Sequence, residues 1–178
     1  MVKTINGLPK DYSGKCHIMM NDINEYVAAR NLVFLTMLMD RKGAPPEEAA
    51  ETVLHLWYSA AITQAQSVQL IECVSHLFAQ PASTLKDAYA AGADIALTYH
   101  YTPSTMTLLG DMVQSDYDWR KAAEAMRRVT LAPPRLDFRE RHLSYLAPFH
   151  RVSSMRMRES GILLPFGMPI TDFTQPNR

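Results

Sequence analysis

The sequence predicts a helix-rich α/β protein with few strands, and three observations carry that prediction. Apolar residues recur at helical spacing in successive stretches from Val27 onward. Proline and glycine punctuate those stretches, as in "DRKGAPPEE". Segments of strand character are short: Cys16 to Met20 is a continuous apolar run, and "ADIALTYHYT" is rich in Ile, Thr and Tyr. With 178 residues, 47% of them apolar, the chain can bury one sizeable core.

In chain order, residues 1–15 read as an N-terminal extension and residues 16–178 as a single domain. Cys16 to Met20 is expected to be a buried strand, with Asp22 as the N-cap of the helix that follows and Glu25 completing a capping box. From Val27 to Met39 nearly every face is apolar, the mark of a helix buried on several sides. Gly43 suits its C-terminal turn. Pro45 and Pro46 start the next helix, whose positive end suits Glu47 and Glu48 and which runs through "AAETVLHLWYSAAI". Thr63 or Ser67 begins another through "VQLIECVSHLFAQ", and Pro81 closes it. The Ala-rich stretch from Ser83 to Gly92 reads as helix, and "ADIALTYHYT" as a strand or a helix end. "PSTMTLLGDMVQ" and "DYDWRKAAEAMRRVTL" read as helices, the second capped by Asp116 or Asp118. From Ala132 onward short helical pieces alternate with proline, and "GILLPFG" is expected to pack as a loop or short strand.

Formal charge balances to zero, yet acidic residues lead before Gly110 and basic ones after it. Between Arg120 and Arg158, ten basic side chains face only Glu124, Asp137 and Glu140. Such a run suits phosphate or an acidic partner, or else a solvated helix face with internal ion pairs. No nucleic-acid motif accompanies it. Cys16 and Cys73 stand apart, and the six histidines form no HxxxH or HExxH pair, so neither a disulfide framework nor a metal site is expected. The longest apolar run, Leu32 to Met39, is too short to span a bilayer; a cytoplasmic protein without membrane or nucleic-acid partners is expected.

Five pieces in order, "NDINEYVAARNLVFLTML", "VLHLWYSAAI", "RLDFRERHLSYLAPFHRVS", "RESGILLPFG" and "FTQPN", resemble a fungal domain of unknown function. That domain accompanies MYND-type zinc fingers and is related to the N-terminal region of dynein axonemal assembly factor 3. The resemblance implies a partial class I methyltransferase-like (Rossmann-like) fold, of which this chain would hold the C-terminal part. It also implies that Asp22 binds the ribose hydroxyls of S-adenosylmethionine, flanked by Asn21 and Ile23, with Arg30 and Asn31 carried inward. The family's glycine-rich segment is not among these residues, and no GxGxxG occurs. Such a glycine turn lets backbone approach a ligand and present amide donors to it. The zinc ligands of some relatives are absent too.

Each candidate residue has a plainer structural role beside the functional one. Asp22 suffices as a cap. Arg30, on an apolar helix, requires a partner: Asp22, Glu25 or another carboxylate. Trp57-Tyr58 and Tyr99-His100-Tyr101 suit an aromatic pocket or the core. The charges of Asp137 to His142 suit mutual ion pairs. His150, and more weakly His100, are the candidates for general acid–base chemistry. These readings lead to a noncatalytic interaction or assembly factor on a degenerate methyltransferase-like scaffold, without cofactor, that meets another protein chain or a second copy. The alternative is an S-adenosylmethionine-dependent methyltransferase, or an enzyme derived from one, acting on a small-molecule substrate in a fungal biosynthetic pathway. There a partner or second copy completes the site around Asp22.

Overall fold

The computed structural model describes residues 7–39, 45–79, 82–86, 96–100, 102–114, 118–165 and 167–177. Among them are seven α-helices and four short strands, so the helix-rich character with few strands expected from the sequence is present. The order is α1 (Glu25–Met39), α2 (Pro46–Tyr58), β1 (Ala61–Thr63), α3 (Gln64–Ala79), β2 (Ala82–Lys86), β3 (Ala96–His100) and α4 (Pro103–Val113). There follow α5 (Trp119–Thr130), a 3₁₀ turn (Pro133–Arg135), α6 (Leu136–Ser144), α7 (Pro148–Ser160) and β4 (Phe173–Pro176). The strands form two antiparallel pairs, β1 with β4 and β2 with β3.

Helix α1 is the centre of the main core. Its all-round apolar sequence buries Ala29, Leu32, Val33, Phe34 and Met37, and it packs against α2, α3 and α4. Val53 and Leu56 of α2, Ile62 of β1, Leu70, Cys73, Val74 and Leu77 of α3, Tyr99 of β3 and Leu109 of α4 complete the cluster. Polar side chains tie α2 to α3 at its margin: Thr52 donates to Gln69 Oε1 (2.8 Å), and Gln69 donates to Glu48 Oε1 (3.1 Å). A smaller cluster of Ala61, Ile162 and Phe173, with Trp119 and Leu164 against it, joins β1, α5 and the C-terminal tail.

The helix starts follow local rules. Thr63 Oγ1 accepts from the Gln66 amide (3.2 Å) while Gln66 Oε1 accepts from the Thr63 amide (3.0 Å), a reciprocal capping box for α3. Asp118 caps α5 through the Arg120 amide (2.9 Å), and Pro46 opens α2 with Glu47 and Glu48 in its first turn. The expected helix through "AAETVLHLWYSAAI" stops at Tyr58, because Ala61 and Ile62 leave it to pair with Pro176 and Gln175 of β4.

Three expectations are corrected. Cys16 to Met20 is not a buried strand but exposed, irregular chain, with Met19 at 92% exposure. An apolar run becomes a strand only beside another strand, and among the described residues none pairs with it. The cap of α1 is Asn24 and not Asp22: Asn24 Oδ1 accepts from the amides of Tyr26 (3.0 Å) and Val27 (3.4 Å). Asp22 instead closes the turn before it, and Glu25 turns away to accept from Ser104 Oγ (3.0 Å). Of the Ala-rich stretch from Ser83, residues 83–86 are strand, paired with β3 from Ala82↔His100 to Lys86↔Ala96, where cross-strand hydrogen bonds override local helix preference. The remainder to Gly92, like Gly43, Pro81, Tyr101 and Asp116, lies outside the described residues.

Candidate functional site

Asn21, Asp22 and Ile23 occupy an exposed turn, Ile23 being fully solvent-facing. Asp22 Oδ1 accepts from the Asn24 amide at 2.8 Å, which positions its carboxylate at the entrance to α1. His100 is exposed at the end of β3. His150 is exposed in the first turn of α7, its ring 4.1 Å from that of Phe149. No hydrogen bond or ion pair among the described residues joins Asp22 to either histidine. Nor do three or more His, Cys, Asp or Glu side chains among those residues gather at metal-binding spacing.

Among the described residues Arg30 does not find the carboxylate partner its sequence position calls for. Its guanidinium lies over the rings of Phe34 (6.0 Å) and Trp57 (5.9 Å), so aromatic faces compensate part of its charge. Its Nε is buried and has no hydrogen-bond partner among the described residues. Arg30, Phe34, Leu56, Leu70, Met112 and Asn177 line a cleft of about 10 Å³, room for one water molecule. A cofactor the size of S-adenosylmethionine cannot enter it. Trp57 stacks on Tyr58 (5.5 Å) and meets Phe34 (5.5 Å), while Tyr99 is buried in the main core, so the two aromatic stretches form no common pocket among these contacts.

A polar cluster that the sequence did not single out lies where α2 ends. His55 Nδ1 is 3.0 Å from Ser59 Oγ, and Ser59 Oγ accepts from the Leu163 amide at 3.0 Å. Ser59 Oγ keeps one hydrogen and one further lone pair for Nδ1, so the tautomer of His55 sets which of the two donates, and Nε2 faces Glu51 Oε1 at 3.8 Å. Burial pushes the His55 pKa down, and Glu51 opposes that shift only in part. The order of serine, imidazole and carboxylate resembles a hydrolytic triad in composition. Its geometry does not serve one: Ser59 is 5% exposed, the carboxylate is beyond hydrogen-bond reach of Nε2, and the backbone donor is spent on the nucleophilic oxygen itself.

What the cluster does is fasten the tail to the core. Asn177 Nδ2 donates to the carbonyls of Leu56 (3.0 Å) and Ser59 (2.5 Å) at the end of α2, and also to that of His55 (3.1 Å), which accepts from the Ser59 amide as well (2.9 Å). The ring of Phe173 lies 4.8 Å from that of His55. Gly161 ends α7 with φ of +76°, and its carbonyl accepts from the Ala60 amide at 2.7 Å. A Cβ there would stand 3.1 Å from both Ala123 and Ala60, so the site requires glycine for conformation and for space. Thus "VLHLWYSAAI", "RESGILLPFG" and "FTQPN", far apart in sequence, meet at one junction. The signal that could have found it was Ser59 following His55 by one helical turn, a short-range polar pair on a buried face.

Residues 1–62 match the model of a domain of unknown function (DUF4470), a span holding the exposed turn, α1, α2 and the start of β1. Over that span the chain is similar to the family; of the five pieces that carry the resemblance, "NDINEYVAARNLVFLTML" lies wholly within it and "VLHLWYSAAI" ends with it, and the other three lie beyond it. No curated protein and no solved structure matches the chain. No helix among the described residues is long and apolar enough to cross a membrane.

Proposed function

We propose that this protein is a noncatalytic interaction or assembly factor whose partner is another protein chain. The observation that supports this most strongly is apolar surface left in water beside a core that is otherwise well packed. Ile18, Met19, Met20, Ile23 and Tyr26 follow one another in the chain leading into α1, at exposures from 39% to 103%. Concentrated apolar exposure of this kind marks protein-binding surface. The sequence resemblance supports a methyltransferase-like scaffold beneath it, the lack of a GxGxxG supports its being degenerate and without cofactor, and we place it in the cytoplasm.

The alternative, S-adenosylmethionine bound at Asp22 and a methyl transfer to a small molecule, draws on the same turn. There the Asp22 carboxylate would meet the ribose hydroxyls, and His100 or His150 would be the proton carriers. Titration calorimetry of the full chain with S-adenosylmethionine separates the two readings. The interaction reading predicts no saturable heat. Micromolar binding that disappears in a folded Asp22→Ala variant contradicts it and establishes Asp22 as a ligand.

A further inference from the structure

We propose that the protein self-associates head to tail, with the acidic, apolar outer face of α2 in one copy seated on the arginine- and aromatic-rich face of α6 and α7 in the next. This rests on the interaction reading above and names its partner: a second copy of the chain.

Net neutrality hides a division of charge. Residues 119–160 carry ten basic and four acidic side chains, net +6, and the remainder of the chain carries eight and fourteen, net −6. Among the described residues the positive part is not neutralised by ion pairs: none of its arginines lies within ion-pair distance of a carboxylate. They bond to carbonyl oxygens instead: Arg139 to Leu131, Arg141 to Asp137, Arg151 to Leu146, Arg156 to Met168 and Arg158 to Ser154. The ion pairs expected within Asp137 to His142 are therefore not formed, and the positive field is available to a partner.

Helix α6 also lacks a reason to be helical alone. It spans nine residues, buries none of them, and leans on the 3₁₀ turn before it. A helix of that length is marginal without burial. Phe138, Arg141, His142 and Tyr145 recur on it at three- and four-residue spacing, with Phe138 68% and Tyr145 87% exposed. Phe149 and Val152 continue the apolar content on α7.

The complementary surface exists on the same chain. On α2, Glu47, Glu51, Leu54 and Tyr58 share one helical face by spacing, all exposed, with Trp57 beside them at 50%. Carboxylates and apolar anchors there match guanidiniums and aromatic anchors on α6 and α7 in kind. An arm-to-arm contact would set arginine against arginine, so the complementary contact joins unlike faces, and head to tail it is heterologous. A heterologous contact propagates unless it closes into a ring.

Sedimentation velocity of the full chain, at rising concentration in 0.1 M and 1 M salt, tests this. Two variants each disable one face: Glu47→Gln/Leu54→Ser on α2, and Arg141→Gln/Tyr145→Ser on the arm. The wild type is expected to grow with concentration, less so at 1 M salt, where the screening length falls from about 10 Å to about 3 Å. Each variant alone, folded by circular dichroism, is expected to associate at least ~10-fold more weakly. An equimolar mixture should form a one-to-one dimer that grows no further, since one intact pair of faces remains. A wild type monomeric at every concentration overturns the proposal, as does a mixture that does not dimerise. Association that survives both variants but is lost in Met19→Ser/Ile23→Ser also overturns it, while leaving the interaction reading in place; the calorimetric result with S-adenosylmethionine decides that reading separately.

Discussion

Two parts of the molecule use their apolar residues in opposite ways. Helices α1 to α4 each turn one face inward, though Leu54 and Trp57 of α2 stay exposed: α1 alone buries six of its fifteen residues, and Leu77 and Leu109 have no exposure at all. Helices α6 and α7 bury none, while α5 buries only Ala123. Yet Phe138, Tyr145 and Phe149 in that arm are as large as anything in the core. The arm is held chiefly where α5, Gly161 and the tail meet the end of α2. The lesson is that apolar content alone does not say which residues stabilise a fold; a partner surface within the same chain does.

The sharpest way to break this contrast is to truncate one large side chain in each part. Leu77→Ala should cost about 2–5 kcal/mol in urea denaturation, for lost burial and the cavity left behind. Phe138→Ala in the arm should change stability by less than about 0.5 kcal/mol, as exposed positions do. A large loss from Phe138→Ala would mean that the arm has a core of its own.

The junction should fall between these extremes. Asn177→Ala removes this donor from the carbonyls of Leu56 and Ser59, while that of His55 keeps the Ser59 amide, and should cost about 1–3 kcal/mol. The loss should be accompanied by faster proteolysis of the tail. Equal resistance to proteolysis would show that the β1–β4 pairing alone retains the tail.

His55 sharpens the picture through pH. Its folded pKa lies below the ordinary value of 6.5, so the unfolded chain binds the proton more readily. The stability this group contributes is therefore present above about pH 6.5 and is lost as pH falls toward the depressed folded value. Thermal midpoints should drop between pH 7.5 and pH 5. His55→Asn, which keeps an acceptor near Nδ1 but does not titrate, should show a shallower drop; an unchanged slope would assign the acid sensitivity elsewhere.

The smallest expected effect separates the two residues before α1. Asn24→Ala should cost about 1 kcal/mol as loss of a cap, and Asp22→Ala only a few tenths. The reverse order in a chemical melt would restore Asp22 as the cap.

These contrasts also explain what could be read from the sequence. Helix α1 was legible because an apolar residue on nearly every face has only one stable environment. The caps at Asp118 and Thr63 were legible because they are local. Asn24 was missed since Asp22, with Glu25 three residues on, satisfies the same pattern two positions early. Cys16 to Met20 has a strand's composition, but pairing is a property of two segments, and one sequence window shows only one of them. The same holds for Ser83 to Lys86, whose partner is β3. The junction was least legible: Asn177 reaches carbonyls 118 to 122 positions away, through a side chain with no periodic signature. Asp22, His100 and His150 were chosen for their chemistry; all three are exposed, and no hydrogen bond or ion pair among the described residues joins Asp22 to either histidine.

The most direct test of the division between a self-sufficient core and a partner-dependent arm is native-state hydrogen exchange on the dilute chain, read by mass spectrometry. Peptides from α1 and α3 should show protection approaching that of global unfolding, whereas those from α6 should exchange with little protection. Protection of α6 equal to that of α1, at concentrations where the chain is monomeric, would contradict the division and with it the arm as a surface awaiting its partner.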